Sequence, residues 1–397
     1  MATVCPVALS RHLWLSRIRF VASILGNRMN RAPWFTLLLI AFVPCTNICA
    51  QEEPVFQGKK ASEWVAMLQK DTSARRREGA VLALSQIGTT SPFVLPALRI
   101  ALREDAAVNV RLRIIRSFML VKSEEAGPIV GELAEALKVD KSATVRVVAA
   151  SALGQLGNVA KPALPALVEA LKDSDTATRA ASAESIGRLG TDGRVAVPQL
   201  HQLMKDPDAG VRLYAVFALG RVGVEEADAI KEMANRLKID TDPVVRKEAA
   251  RSLGMLRAGA IDGIAALVDA LKGDASIPVR QEAVQALTRL APLARDSVPA
   301  LLAAMQMDAD KSVRSFAVHA AIVILGENAK SVVPQLAEAL NKEEVGDVKI
   351  AIIQELAALG SDAEAALPAL GNAQKDIQVI VRDAAALAIK KIRTKAP

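Results

Sequence analysis

The chain has 397 residues, is 51% hydrophobic but only 3% aromatic, and carries a formal net charge of +7 with three cysteines. An apolar fraction drawn mostly from Ala, Leu and Val excludes a disordered chain, and the length allows two or three ordinary domains or one long array. The basic balance invites nucleic acid and the thiols invite redox or metal chemistry, so both depend on where those residues sit.

The first fifty residues stand apart. They hold five arginines (Arg11, Arg17, Arg19, Arg28, Arg31) and no Lys, Asp or Glu, which is +5 of the +7. The remaining 347 residues set 45 basic against 43 acidic side chains. Met29-Asn30-Arg31 is a short basic start, and the apolar run Trp34–Val43 follows it. A bilayer span needs about 20 apolar residues, whereas a run of this size suits a secretory h-region. Pro44 ends the run, and Ala50 offers a small residue for cleavage before Gln51. Residues 1–50 therefore predict an export leader with its true start at Met29, an uncleaved membrane anchor being the alternative. Cys5, Cys45 and Cys49 all fall within it. The mature chain then has no disulfide, thiolate nucleophile or Cys-ligated metal. Residues 51–59 read as a linker.

From residue 60 onward the sequence repeats. A basic residue recurs at Arg77, Arg111, Arg146, Arg179, Arg212, Arg246, Arg280, Arg314, Lys349 and Arg382, at intervals of 33 to 35. Six positions before each stands an acid: Asp71, Asp105, Asp140, Asp173, Asp206, Asp240, Asp274, Asp308, Glu343 and Asp376. A period held this tightly predicts a solenoid. Each unit reads as two helices. In residues 160–190, Pro162 and Pro165 open the first, where a missing N–H costs nothing. Leu164, Leu167, Val168 and Leu171 give it one apolar stripe. The Lys172–Asp175 turn ends it, and Ala180, Ala183, Ile186 and Leu189 mark a second helix bracketed by Gly187 and Gly190. No stretch alternates with period two long enough to predict a sheet.

The run from Asp140 through Val145-Arg146-Val147-Val148-Ala149-Ala150-Ser151-Ala152-Leu153-Gly154-Gln155-Leu156-Gly157 resembles a HEAT repeat. It is most similar to the short variety of the phycobilisome lyases, with the pattern D-x(5)-R-x(2)-A-A-x-A-L-G-x-L-G. The Gly58-Lys59-Lys60 and Glu63-Trp64 segments resemble the start of secreted HEAT arrays. The resemblance covers residues 60–393 and leaves 394–397 as a tail. It implies an all-α, right-handed solenoid of about ten stacked helix pairs. It implies little about activity, because such arrays serve unrelated roles.

The acid and base columns predict an internal ladder: the acid caps the second helix and the base reaches an acid of its own or a neighbouring repeat. The mature chain's two histidines, His201 and His319, lie in different repeats, so no His-rich metal cluster fits one unit. There is no H-E-x-x-H, G-x-S-x-G or P-loop pattern. Glu124-Glu125, Glu225-Glu226 and Glu343-Glu344 stand near turns, where solvated charge is the ordinary role. These features predict neither catalysis, nor a metal, nor a cofactor.

Function then rests on the concave groove lined by second helices. Positions five and nine residues after each ladder base are expected to face it. They bring Arg116, Arg188, Phe217, Arg221, Arg251, Arg289 and His319 to one surface, with Tyr214 nearby. Arg and aromatic residues dominate protein hot spots. The expectation is a non-enzymatic scaffold outside the cytoplasm that binds a protein or peptide with acidic segments. Nucleic-acid binding competes through the same arginines, but the near-neutral mature charge and scarce aromatic platforms oppose it. A chromophore-attachment or chaperone role follows only from the lyase resemblance.

Overall fold

The computed structural model describes residues 53–223, 227–256 and 261–394. The leader, its cleavage point at Ala50, the start at Met29, the three cysteines and Glu225-Glu226 lie outside the described residues. Glu53–Pro397 forms one compact unit.

That unit is built from ten helix pairs among the described residues. They are α1 (Ala61–Lys70) with α2 (Ala74–Gly88), α3 (Leu95–Glu104) with α4 (Val108–Phe118), and α5 (Gly127–Val139) with α6 (Ala143–Leu156). Next come α7 (Leu164–Ala170) with α8 (Thr176–Arg188), α9 (Val197–Leu203) with α10 (Ala209–Val222), and α11 (Ala227–Ile239) with α12 (Pro243–Met255). The array continues with α13 (Ile261–Gly273) and α14 (Ile277–Arg289), α15 (Val298–Met307) and α16 (Lys311–Leu325), α17 (Val333–Lys342) and α18 (Gly346–Ala358), and α19 (Leu367–Ala373) and α20 (Val379–Arg393). Even-numbered helices are the second helices, and each carries one ladder base.

Local chemistry explains the punctuation. Pro96, Pro128, Pro165, Pro198, Pro299, Pro334 and Pro368 sit in the first turn of first helices, where φ is already suitable and no N–H is missed. Pro162 instead lies in a 3-10 segment, Gly157–Ala163, that leads into α7. Gly157, Gly190, Gly326 and Gly360 take φ between 54° and 60° to start equivalent 3-10 segments, a conformation that costs a side chain dearly. Within Lys311–Lys342 an 18-residue window reaches a mean hydropathy of 1.4, apolar enough to resemble a membrane span. That stretch is two helices, α16 and α17, parted at Gly326.

The segment expected to be a linker holds a hairpin. β1 (Val55–Phe56) pairs antiparallel with β2 (Lys59–Lys60) around Gln57 and Gly58, both at positive φ. Two-residue strands show no periodicity in sequence. Trp64 Nε1 donates to the Phe56 carbonyl at 3.1 Å, and the Lys59 ammonium lies 4.7 Å above the Trp64 ring.

The core is a continuous stack of Leu, Ile, Val and Ala. Small residues set how closely second helices approach. A Cβ on Gly154, Gly187, Gly220 or Gly254, each eight residues after its ladder base, would come within 2.9 Å of atoms on the next second helix. Ser185 and Ser252 cross the same interfaces, donating to the carbonyls of Ala150 at 2.8 Å and Val216 at 3.1 Å. Gly187 is therefore a close-approach residue and not an end signal. Backbones this near leave little space for rings, which accounts for an apolar yet aromatic-poor composition.

Candidate interaction surface

The ladder residues occupy the edge where first helices turn into second helices. Arg212 typifies the seven arginines that bond to the next repeat's Asp: its Nε and Nη2 donate to Asp240 at 2.7 and 2.8 Å, while Nη1 donates to the Asp206 carbonyl at 2.9 Å. The same fork joins Arg77 to Asp105, Arg111 to Asp140, Arg146 to Asp173, Arg179 to Asp206, Arg246 to Asp274 and Arg280 to Asp308. Arg314 holds Glu343 in the same manner, and Lys349 reaches Asp376 with a single ammonium. Arg382 donates to the Asp376 and Ile377 carbonyls. Each forked arginine rung thus links a repeat to the next through charge-assisted bidentate bonds, and Lys349 does so through one. Because the base grips the carbonyl beside its own acid, the rung also fixes the turn.

The acids do not cap as the sequence suggested. Each ladder acid stands two residues before the N-cap position, and its oxygen accepts the N–H two residues on, as Asp140 accepts from Ser142 at 2.8 Å. Where a side-chain cap forms, a second acid makes it: Asp175, Asp208, Asp242 and Asp310 accept from the first turns of α8, α10, α12 and α16. Burial raises the Asp105, Asp173, Asp240 and Asp274 carboxyls. The arginine and backbone hydrogen bonds outweigh it and hold all four below the usual carboxylate range. Crevices recur along this edge, one of about 560 Å³ between the turns at Asp105 and Asp140. Others sit at equivalent turns, so they belong to the repeat and not to one site.

The residues expected to line the groove lie on the open face of the second helices. Arg116, Arg188, Arg221, Arg251, Arg289 and His319 are exposed, and Tyr214 and Phe217 are half-buried. Tyr214 and Phe217 meet edge to face with centroids 6.5 Å apart, and the Arg221 guanidinium lies 5.7 Å from the Phe217 ring. Positions i, i+3 and i+7 on α10 place all three on one stripe.

The arginines are not one free stripe. Arg188 pairs with Glu184 at 2.6 Å. Glu282, buried beneath the face, accepts from Arg289 at 3.0 Å and stands 3.5 Å from Arg251. Arg251 also stands 3.6 Å from Glu248. His319 Nδ1 lies 2.8 Å from Glu355. Of Arg188, Arg221, Arg251 and Arg289, Arg221 alone makes no ion pair within 4 Å among the described residues, although its charge still acts on the Glu248 carboxyl. Burial raises the Glu248 carboxyl, nearby Arg251 only partly offsetting it, and its Oε1 is buried without a hydrogen bond. The exposed layer is still cationic. The side chains of Arg251 and Arg289 are 44% and 39% exposed, against 12% and 5% for Glu248 and Glu282. Buried carboxylates hold these guanidiniums from below and leave their outer edges to solvent.

Glu282 and Phe316 escaped the sequence reading, which followed the positions five and nine residues after each base and weighed Glu184 and Glu248 only as charges that dilute the arginine stripe. Glu282 and Phe316 occupy a third column, two residues after the base, which reads Tyr214, Glu248, Glu282, Phe316 in successive central repeats. Phe316 is 40% exposed and walls an open cleft of about 370 Å³ with Val284, Gln285, Thr288, Arg289 and His319. His201 lies on α9, a first helix, half-buried and away from this face.

The sequence profile described as HEAT repeats matches at residues 130–200, 197–288 and 264–357, more than half of the chain. The protein belongs to the HEAT-repeat family. Among solved structures the array is similar to Kap121p bound to RanGTP, at 17% identity over 83% of this chain and 41% of that one, with a TM-score of 0.57. It is similar to the Kap95:Nup1 complex at 16% identity, over 83% and 51% of the two chains, with a TM-score of 0.55. Yeast importin-beta (Kap95p) matches at 15% identity over 84% and 51%, with a TM-score of 0.53. The chain thus spans about half or less of these longer solenoids, and the likeness is one of fold. No curated protein matches the sequence.

Proposed function

We propose that this HEAT array is a non-enzymatic scaffold that works outside the cytoplasm and holds a protein or peptide on the open face of its second helices. One observation carries the reading: on α10, Tyr214, Phe217 and Arg221 form an aromatic–arginine stripe whose cation is exposed and makes no ion pair within 4 Å among the described residues. Desolvated arginines and aromatics are what interfaces use for most of their energy, and an unpaired cation favours an acidic partner. The solenoids of similar fold are seen with RanGTP and with Nup1, which fits a binding role for such a face. The leader motif at Met29–Ala50 supports export.

The ion pairs decide how to test this. Reversing Arg251 or Arg289 would set like charge against buried Glu282 and damage the fold. Arg221→Gln, which removes the charge without setting a second carboxylate near Glu248, is the clean probe. Pull-down from the native host, read by mass spectrometry, is expected to recover an acidic protein with the wild-type chain and lose it with Arg221→Gln. Unchanged recovery would remove this stripe from the reading. N-terminal sequencing of exported protein is expected to begin at Gln51.

A further inference from the structure

The open face has a pattern along the array as well as a charge. In repeat five it presents Tyr214 and Phe217. In repeats six and seven it presents the guanidiniums of Arg251 and Arg289, seated on buried Glu282. In repeat eight it presents Phe316, over the cleft with Val284 and Thr288, and exposed Val323 beyond it on α16. Two aromatic stations therefore flank a cationic centre. Phe217 and Phe316 are the aromatic residues at open-face positions of the described second helices, apart from Tyr214 beside Phe217. Outside the central repeats the Phe316 column holds Gly79, Arg113, Val148, Ala181, Ala351 or Ala384, so nothing in stacking requires a ring there.

From this pattern we infer that the face recognises an extended, bipartite peptide segment: two large apolar side chains, one for each aromatic station, joined by an acidic stretch that meets Arg251 and Arg289. The inference rests on the scaffold reading and adds a spacing to it. The stations lie three repeats apart. Neighbouring packed helices stand 8–10 Å apart, so the separation is about 25–30 Å. An extended chain advances about 3.3 Å per residue, so the anchors fall about eight or nine residues apart. A helical segment would need roughly twice that number at about 1.5 Å per residue. The acidic stretch follows from the exposed layer: the arginine heads reach solvent while their carboxylate partners stay buried. Two weak contacts joined by a spacer of the right length gain affinity through effective concentration, and lose that gain when the spacer cannot span them.

The test uses the full chain and labelled synthetic peptides with two leucines separated by four, eight or twelve positions in an Asp/Ser spacer. Single-leucine and Lys/Ser-spacer peptides serve as controls, and binding is read by fluorescence anisotropy. The eight-position acidic peptide is expected to bind at least tenfold more tightly than the four-position and single-leucine peptides. Phe316→Ser is expected to reduce it to the single-anchor level. So is Phe217→Ser, and the double variant is expected to fall below that level, because no station remains. Phe217 packs against Gly187, so Phe217→Leu, which keeps that packing, is the variant that guards against a folding defect. Affinity that ignores spacing, or equal binding of the lysine peptides, overturns the inference. If acidic peptides bind through Arg221 without regard to leucine, the bipartite inference fails and the scaffold reading stands. If no acidic peptide binds, both fail.

Discussion

The ladder edge and the open face lie on the same ten second helices and follow opposite rules. At the edge the chemistry is repeated: seven arginines fork onto the next aspartate, with Glu343 and Lys349 as the only substitutes among the inter-repeat rungs. On the open face the same positions change from repeat to repeat, running through Arg116, Ser151, Glu184, Phe217, Arg251, Gln285 and His319. A one-dimensional stack needs the same joint at every interface. It needs no fixed residue type on the face it leaves open. Repetition therefore marks what holds the array together, and local variation marks where a partner can be told apart.

Removing one rung should expose the difference most strongly. Arg212→Ala removes the fork from the Asp240 carboxylate, whose side chain is only 1% exposed and is left with Arg236 at 3.6 Å and the Asp242 N–H. Loss of one partner of a buried pair costs about 3–5 kcal/mol, so chemical denaturation should show a large drop. Lys349→Ala, at a one-pronged and more exposed rung, should cost less. Equal effects would mean that fork geometry is not what stabilises the edge.

Next in size is the close approach of the central helices. Gly220→Ala would set a Cβ 2.5 Å from Ser252 Oγ and should destabilise by about 1–3 kcal/mol through overpacking. Gly79→Ala, also in a second helix but with nothing within 4 Å, should stabilise by roughly 0.5–1 kcal/mol because alanine restricts the unfolded chain. Thermal melts of the two variants should move in opposite directions.

The ladder also sets an acid limit. Asp105, Asp173, Asp240, Asp274, Glu343 and Asp376 are held below the usual carboxylate range when folded. Their contribution is present above the unfolded values near 4 and is lost as pH falls through the lowered folded values. The melting temperature should be flat from about pH 7 to pH 5 and fall steadily below pH 4. Glu248 has the opposite sign. Its folded carboxyl is raised by burial, so it costs stability once the pH passes that raised value. Glu248→Gln should raise the melting point slightly at pH 7 and have no effect in acid.

How much was legible in sequence follows the same division. The fold could be read because Asp-x(5)-Arg recurs at a fixed period and each unit carries its own turn residues. The direction of the rungs could not, since an arginine is six residues from its own aspartate and about 28 from the one it holds. Within the surface, Arg221 and Phe217 were found because their columns were followed. Glu282 was missed because its role is to sit beneath Arg251 and Arg289, and depth leaves no trace in spacing. The 55–60 hairpin was missed because its strands are shorter than one period.

The most direct measurement compares Arg212→Ala and Arg221→Gln in two assays, thermal melting and anisotropy with the eight-position acidic peptide. Arg212→Ala should lower the melting point and, below its own transition, still bind the peptide. Arg221→Gln should melt like the wild type and lose binding by tenfold or more. An Arg221→Gln variant that melts early, or one that binds as well as the wild type, would contradict the assignment of the edge to stability and the face to recognition.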